Sequence, residues 1–118
     1  MSPILNFEDE FQLTIKLKKK DEYKQKSFDV GLAFINQDNV TVAGPNSSSL
    51  SLKAGAEVIT YSLKKLPFQP GDYSVTIAVI DRDTNEPFDF YDRAISFHVI
   101  SDKPAQGVVA IDGDWDAK

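Results

Sequence analysis

The feature that most constrains this chain is an alternation of apolar and polar residues with a period of two. In the segment FQLTIKL (residues 11–17), Phe11 and Leu13 fall on one side of an extended chain, whereas Gln12 and Thr14 fall on the other. This alternation is typical of a β-strand with one buried face. The same pattern recurs in three further segments, SFDVGLAFIN at 27–36, YSVTIAVI at 73–80 and AISFHVI at 94–100.

The segments between these strands favour turns, and no segment has a convincing helical period. Asn, Asp, Gly and Pro cluster at residues 36–39, 44–46 and 67–72, as is typical of turns. The β-branched and aromatic run VITY (58–61) favours a strand over a helix. We therefore predict an all-β chain, an antiparallel β-sandwich of Ig-like or jelly-roll type with seven to eight strands, the last of them VVAI (108–111).

Length and composition indicate one soluble globular domain. We expect residues 1–118 to form a single β-sandwich, with residues 1–8 as a linker remnant. The net charge of −5 argues against generic nucleic-acid binding. No run of 18 apolar residues is present to span a membrane, and no secretory signal is visible. Six of the thirteen basic residues lie in KLKKKDEYKQK (16–26), which we interpret as a solvated hairpin that could contact a phosphate or an acidic partner.

The sequence offers little that an enzyme would need. There is one histidine and no cysteine, and we find no nucleophile elbow and no phosphate-binding glycine motif. His98 lies in the middle of a predicted strand, on the side opposite Phe97, so we expect it to point outward. We therefore expect a non-catalytic protein without a cofactor.

The acidic segment DRDTNEPFDFYD (81–92) has the spacing of a calcium loop, with Asp81, Asp83, Asn85 and Asp92 at positions 1, 3, 5 and 12. An EF-hand loop needs glycine at position 6 and a bidentate glutamate at position 12. Position 6 is Glu86 here, and the flanking segments are predicted strands. We interpret the segment as a polar turn and keep a calcium-dependent lectin-like site as an alternative.

The outward positions of the predicted strands hold unusually small residues. If these strands are neighbours in one sheet, the residues form a shallow trough with hydroxyl groups and one imidazole on its floor, suited to a sugar chain. The candidate carbohydrate-binding residues are Gly31, Ala33, Ser74, Thr76, Ala78, Ser96 and His98. Candidate stacking rings are Trp115, Tyr91 and Tyr23, although we expect Trp115 to pin the last strand to the core. No metal-binding residues are assigned.

Four segments in order resemble a known family. They are FDVGLAFINQDNVTVAGPNSSS (28–49), LPFQPGDYSVTIAVID (66–81), FYDRAISFHVI (90–100) and GVVAIDGDW (107–115). Together they look like the C-terminal domain of the ATP-binding subunit of polysaccharide ABC exporters, the Wzt C-terminal type. The resemblance covers about residues 8–115, and no binding residue of the family can be matched by motif.

This resemblance implies a cytoplasmic carbohydrate-binding module, associated with the inner membrane through its transporter. Its partner would be a lipid-linked bacterial O-antigen polysaccharide, recognised at a modified non-reducing end. Any ATP would be bound by a separate N-terminal domain of the parent chain. A homodimer is implied, in some relatives by exchange of the terminal strand, with SDKPAQG (101–107) as the hinge. The alternative is an Ig- or fibronectin-like protein-interaction domain that binds by strand addition.

Overall fold

The computed structural model describes residues 3–47, 52, 55–102, 107 and 114–117. Within them the chain forms two facing β-sheets, and the predicted β-sandwich is confirmed. One sheet has five strands in the order β1-β7-β6-β3-β4, and the other pairs β2 with β5. The strands are β1 (Ile4–Asn6), β2 (Phe11–Lys16), β3 (Phe28–Asn36), β4 (Thr41–Ala43), β5 (Val58–Leu63), β6 (Gly71–Asp81) and β7 (Pro87–Ile100).

The centre of the large sheet is antiparallel, as the turn signals predict. β3 and β6 pair over nine residues, from Phe28 opposite Asp81 to Asn36 opposite Tyr73. β1 is the exception, because it runs parallel to β7 with Ile4 opposite His98. The first residues, expected to be a linker remnant, thus contribute a strand to the sheet edge.

The core lies between the two sheets and is rich in aromatic residues. Phe34 is at its centre, with its ring centroid 5.2 Å from that of Phe68 and 5.7 Å from that of Phe11. Tyr73 stacks on Phe97 at 5.5 Å, and its hydroxyl donates a 2.6 Å hydrogen bond to the carbonyl of Gln69. The predicted inward residues of β3 and β6 are buried, and burial of such side chains is the main stabilising contribution.

The basic segment 16–26 does not form the hairpin that the sequence predicts. β2 pairs with β5, whereas β3 pairs with β6, so residues 17–27 cross from one sheet to the other. A short 3₁₀ turn, Asp21–Tyr23, lies in this crossing. The lysines therefore lie at one end of the sandwich, where the two sheets meet.

The prediction for Trp115 is wrong, since its side chain is fully exposed. The indole ring therefore does not pack against the core, and residues 114–117 form no strand themselves. The strand predicted at 108–111 and most of the hinge predicted at 101–107 lie outside the described residues. Within the described residues, no helix has the length and apolar character that crossing a bilayer requires.

Candidate functional site

Strand pairing brings the predicted trough residues together on one face of the large sheet, the outer face, which points away from the two-stranded sheet. In β3 and β6, Gly31 lies opposite Ala78 and Ala33 lies opposite Thr76. In β6 and β7, Ser74 lies opposite Ser96. Because the small side chains are neighbours across three strands, they form a shallow floor.

Thr76 is the member of this set that differs from the prediction. Its side chain is only 7% exposed, so it is not an open part of the floor. β7 bulges here, because Val75 pairs with Ile95 whereas Ile77 pairs with Tyr91. The Thr76 hydroxyl accepts a 3.0 Å hydrogen bond from the Arg93 amide and donates at 3.2 Å to the Asp92 carboxylate. Thr76 therefore holds the bulge in place.

The bulge positions a charged pair that sequence reasoning missed. The backbone of Arg93 is left-handed, with φ of 48°. This conformation is uncommon for residues other than glycine and asparagine, and it occurs here within the bulge. The Arg93 guanidinium contacts both carboxylate oxygens of Asp92, at 3.0 and 3.1 Å, and also donates to the amide oxygen of Asn39. Asn39 lies in the turn after β3, so the sheet order requires the Arg93 side chain to cross over β6.

Two further pairs flank the floor at its ends. At one end the Arg82 guanidinium donates a 2.7 Å hydrogen bond to Asp29, which also accepts at 3.5 Å from the Ser47 hydroxyl. At the other end, the His98 Nδ1 and the Asp72 carboxylate lie 2.7 Å apart. His98 therefore points outward, as predicted. The floor of small residues thus lies between carboxylates that are already oriented by partners.

An aromatic ring stands on this face, but it is not one of those predicted. Phe90 lies opposite Ala78 and is 60% exposed. Tyr91 lies opposite Ile77, on the other side of the sheet, and donates a hydrogen bond to Asp89, which raises the pKa of its hydroxyl. Tyr23 packs on Phe88, with centroids 5.1 Å apart, at the end of the sandwich. The alternation that assigns Ser96 and His98 to the outer face also extends to Phe90, but the prediction considered only small and polar residues there.

The acidic segment 81–92 spans the β6–β7 hairpin: residues 82–86 form the turn, whereas Asp81 ends β6 and residues 87–92 belong to β7. Asp81 is buried, and its carboxylate accepts a 2.9 Å hydrogen bond from the Asp83 amide. The Asn85 amide donates to the Asp81 carbonyl at 2.7 Å. Asp92 is directed instead to Thr76 and Arg93, so the four predicted oxygen ligands do not converge. Over the described parts of the chain, no three His, Cys, Asp or Glu side chains lie close enough to share a metal ion.

The outer face can bind a polar, extended ligand without a deep cavity. Its carboxylates can accept hydrogen bonds from hydroxyl groups, and its guanidinium groups and serines can donate them. An exposed ring adds an apolar platform for the CH face of a sugar. These are contacts for binding and orientation.

Comparisons with known proteins agree on the family and the fold. The family model for the Wzt C-terminal domain matches residues 2–111. A solved structure described as the crystal structure of the C-terminal domain of wzt superimposes with a TM-score of 0.71 at 17% sequence identity, over 99% of this chain and 74% of that chain. At that identity the likeness establishes the fold. No curated protein matches the sequence.

Proposed function

This chain belongs to the Wzt C-terminal domain family, and we propose that it is a non-catalytic carbohydrate-binding module for a lipid-linked O-antigen polysaccharide. By recognising the polymer, most usefully at its modified non-reducing end, the module licenses export by an ABC transporter. It acts at the cytoplasmic side of the inner membrane. ATP is bound by a separate domain, and the module itself requires no cofactor.

The outer face is the observation that carries this proposal. Seven small or polar residues from β3, β6 and β7 lie on one face in register, and Thr76 secures the bulge beside them. Sheet faces that are merely solvated usually present long charged side chains, whereas the centre of this one holds glycine, alanine and serine. A sugar chain could therefore approach the backbone closely at Gly31 and Ala78, or at Ser74 and Ser96, beside the point where the Arg93 side chain crosses over β6.

The charged pairs around the floor suit neutral sugar hydroxyls. Three carboxylates of this face each have a nitrogen partner within 3.0 Å, namely Asp29 with Arg82, Asp92 with Arg93 and Asp72 with His98. Each carboxylate is therefore oriented before a ligand binds. Oriented carboxylates accept strong hydrogen bonds and lose little side-chain entropy on binding. The balance of charge also means that the face does not depend on an anionic ligand.

A pair of matched substitutions tests this location. Ser74→Arg fills the floor of the outer face, whereas Ser62→Arg places the same side chain on an exposed position of β5 in the other sheet. We expect Ser74→Arg to weaken binding of O-polysaccharide from the source organism at least tenfold in calorimetry. Ser62→Arg should bind like wild type. Equal binding by both variants, with both folded, would place the glycan elsewhere.

The proposal of terminus recognition needs a second comparison. Binding is measured in EDTA with complete O-polysaccharide and with the same polymer lacking its terminal modification. Binding of the complete polymer alone supports recognition of the finished end. Binding of both means that the module reads internal repeats, and binding that requires added calcium would favour the lectin-like alternative.

We also propose that the module is a homodimer that exchanges its C-terminal strand. A groove of about 540 Å³ opens between β2 and β7, lined by Leu5, Phe11, Gln12 and Phe97 among others. Within the described residues, β2 pairs with β5 along only one edge, so its other edge is available for a strand. Light scattering on the chain with and without residues 103–118 tests this, and we expect a dimer only with the segment present.

A further inference from the structure

A second cavity lies at the end of the sandwich, away from the outer face. It has a volume of about 360 Å³ and is bounded by the crossing segment after β2 on one side and the β6–β7 hairpin on the other. Phe28 and Val79, both buried, are at its base. A cavity of this size lies in the range that small-molecule sites occupy. Its lining comes from two segments that are distant in the sequence, within residues 15–28 and 79–91.

The lining of this cavity is strongly basic although the chain as a whole is acidic. Lys16, Lys18, Lys19, Lys20 and Lys26 line it, whereas Asp89 is the one acidic residue among the lining side chains described. The ion pairs found among the described residues do not involve Lys16, Lys18, Lys20 or Lys26. Five lysines against one carboxylate in the lining give this concavity a positive potential, which raises the local concentration of anions.

Aromatic rings form the rest of the wall. Tyr23 and Phe88 pack together with ring centroids 5.1 Å apart, and Tyr91 is held by its hydrogen bond to Asp89. Together these three rings provide an apolar surface next to the lysines. An inorganic anion would contact only the lysines, whereas a ring that bears an acidic group would contact the lysines and the aromatic rings.

Lys19 shows how the cavity wall is organised. Its Nζ atom lies 4.1 Å from the centroid of the Phe28 ring, so its cation is held over an aromatic face. Burial lowers the pKa of Lys19, and the nearby charge of Glu57 opposes this effect only partly. A bound anion would favour the charged form of Lys19.

We propose that this cavity is a second ligand site that takes an anionic sugar, a pyranose ring bearing a carboxylate or a phosphate group. The lysines bind the acidic group and the rings of Tyr23, Phe88 and Tyr91 pack on the sugar. That the ring is a sugar rests on the function proposed above, whereas the preference for an anion rests on the lysines alone. The module then reads two chemical features, neutral hydroxyls on the outer face and one acidic group at its end.

The test is an NMR titration of the ¹⁵N-labelled domain with four probes: glucuronate, glucose 6-phosphate, glucose and inorganic phosphate. We expect glucuronate or glucose 6-phosphate to shift the amides of residues 17–27 and 88–91. Comparable shifts should not appear with glucose or inorganic phosphate. Lys18→Glu should weaken this binding about tenfold, since the reversal changes the interaction with the anion by two charges. The matched control Lys64→Glu makes the same change at an exposed lysine that does not line the cavity and should have no effect.

Three results would overturn the proposal. Equal shifts with inorganic phosphate mean an adventitious ion only, and equal shifts with glucose mean that the lysines do not select the ligand. Lysine-dependent binding to phosphatidylglycerol vesicles, with no response to either acidic sugar, would assign the surface to lipid headgroups. The two proposed sites are separable, because Ser74→Arg should leave the glucuronate shifts intact, and Lys18→Glu should leave binding of a neutral polysaccharide intact.

Discussion

The two faces of the large sheet are made by the same strands, yet residues one position apart have opposite environments. On the inner face Phe28, Phe34 and Val75 are at most 1% exposed. On the outer face the neighbouring positions hold Ala33 and Ser74, which are partly exposed. Burial of the inner side chains away from water stabilises the folded state. The small outer side chains keep backbone and hydroxyl groups accessible to a ligand. The comparison therefore separates side chains that stabilise the domain from side chains available to a ligand.

Two phenylalanines, one on each face, are expected to show the largest difference in stability between the faces. Phe34 is 1% exposed and packs on Phe11, Phe68 and Phe97, whereas Phe90 is 60% exposed. We expect Phe34→Ala to lower the free energy of unfolding by about 3–5 kcal/mol through lost burial and a residual cavity. Phe90→Ala should cost less than about 1 kcal/mol. Urea denaturation measures both, and equal losses would contradict the assignment of the faces.

Thr76 is an exception to this comparison, because it lies on the outer face but stabilises the fold. Thr76→Val keeps the shape but leaves the Arg93 amide without its acceptor, and we expect a loss of about 2 kcal/mol. Ser74 lies two residues earlier on the same strand and face, and Ser74→Ala should change the free energy of unfolding by less than about 0.5 kcal/mol. Thermal unfolding of the two variants checks this. A Thr76→Val variant as stable as wild type would mean that the bulge does not need the hydroxyl.

The alternation of the sequence was sufficient to predict the faces, because a period of two assigns each residue to one side of a strand. It therefore predicted that Gly31, Ala33, Ser74, Ala78, Ser96 and His98 point outward, and the strand pairing then shows that they share one surface. The parallel pairing of β1 carries no such local signal, since three residues are too few to show a period. Trp115 was misjudged because an aromatic side chain next to a predicted strand is not buried by that position alone, and its ring is fully exposed.

The bulges explain what the pattern could not predict on β7. Opposite Thr76, β7 holds two more residues than regular pairing needs, so positions on either side of this bulge, such as Ile95 and Tyr91, stay on the same face. The alternation therefore extends to Phe90, whereas Arg93, with its left-handed backbone, lies within the bulge and could not be assigned without the pairing to β6. The basic cavity was beyond sequence reasoning for another reason. Its lysines and its rings come from two distant segments, and only the crossing of residues 17–27 between sheets brings them together.

Tyr73 sharpens the inner half of the comparison through its pH dependence. Burial raises the pKa of its hydroxyl above the usual value near 10. In the unfolded chain the tyrosine ionises first, so its contribution to stability is complete below about pH 10 and is lost as the pH rises through the native pKa. We expect Tyr73→Phe to cost about 1 kcal/mol at neutral pH, through loss of the hydrogen bond to Gln69, and to reduce the alkaline loss of stability. Identical alkaline slopes in urea titrations would contradict this.

The smallest effect on stability is expected at the outer end of the trough, where it is also most informative. Asp72 and His98 pair across β6 and β7 with their side chains 72% and 42% exposed, and exposed pairs of this kind contribute less than about 1 kcal/mol. Asp72→Asn should therefore leave the free energy of unfolding within about 0.5 kcal/mol of wild type. The same substitution removes an oriented acceptor from the proposed glycan site and should weaken O-polysaccharide binding severalfold in calorimetry. Loss of binding without loss of stability would show that the outer face is kept for its ligand. Loss of stability without loss of binding would assign this pair to the fold, as Thr76 is assigned, and would confine the glycan to the floor around Gly31 and Ala33.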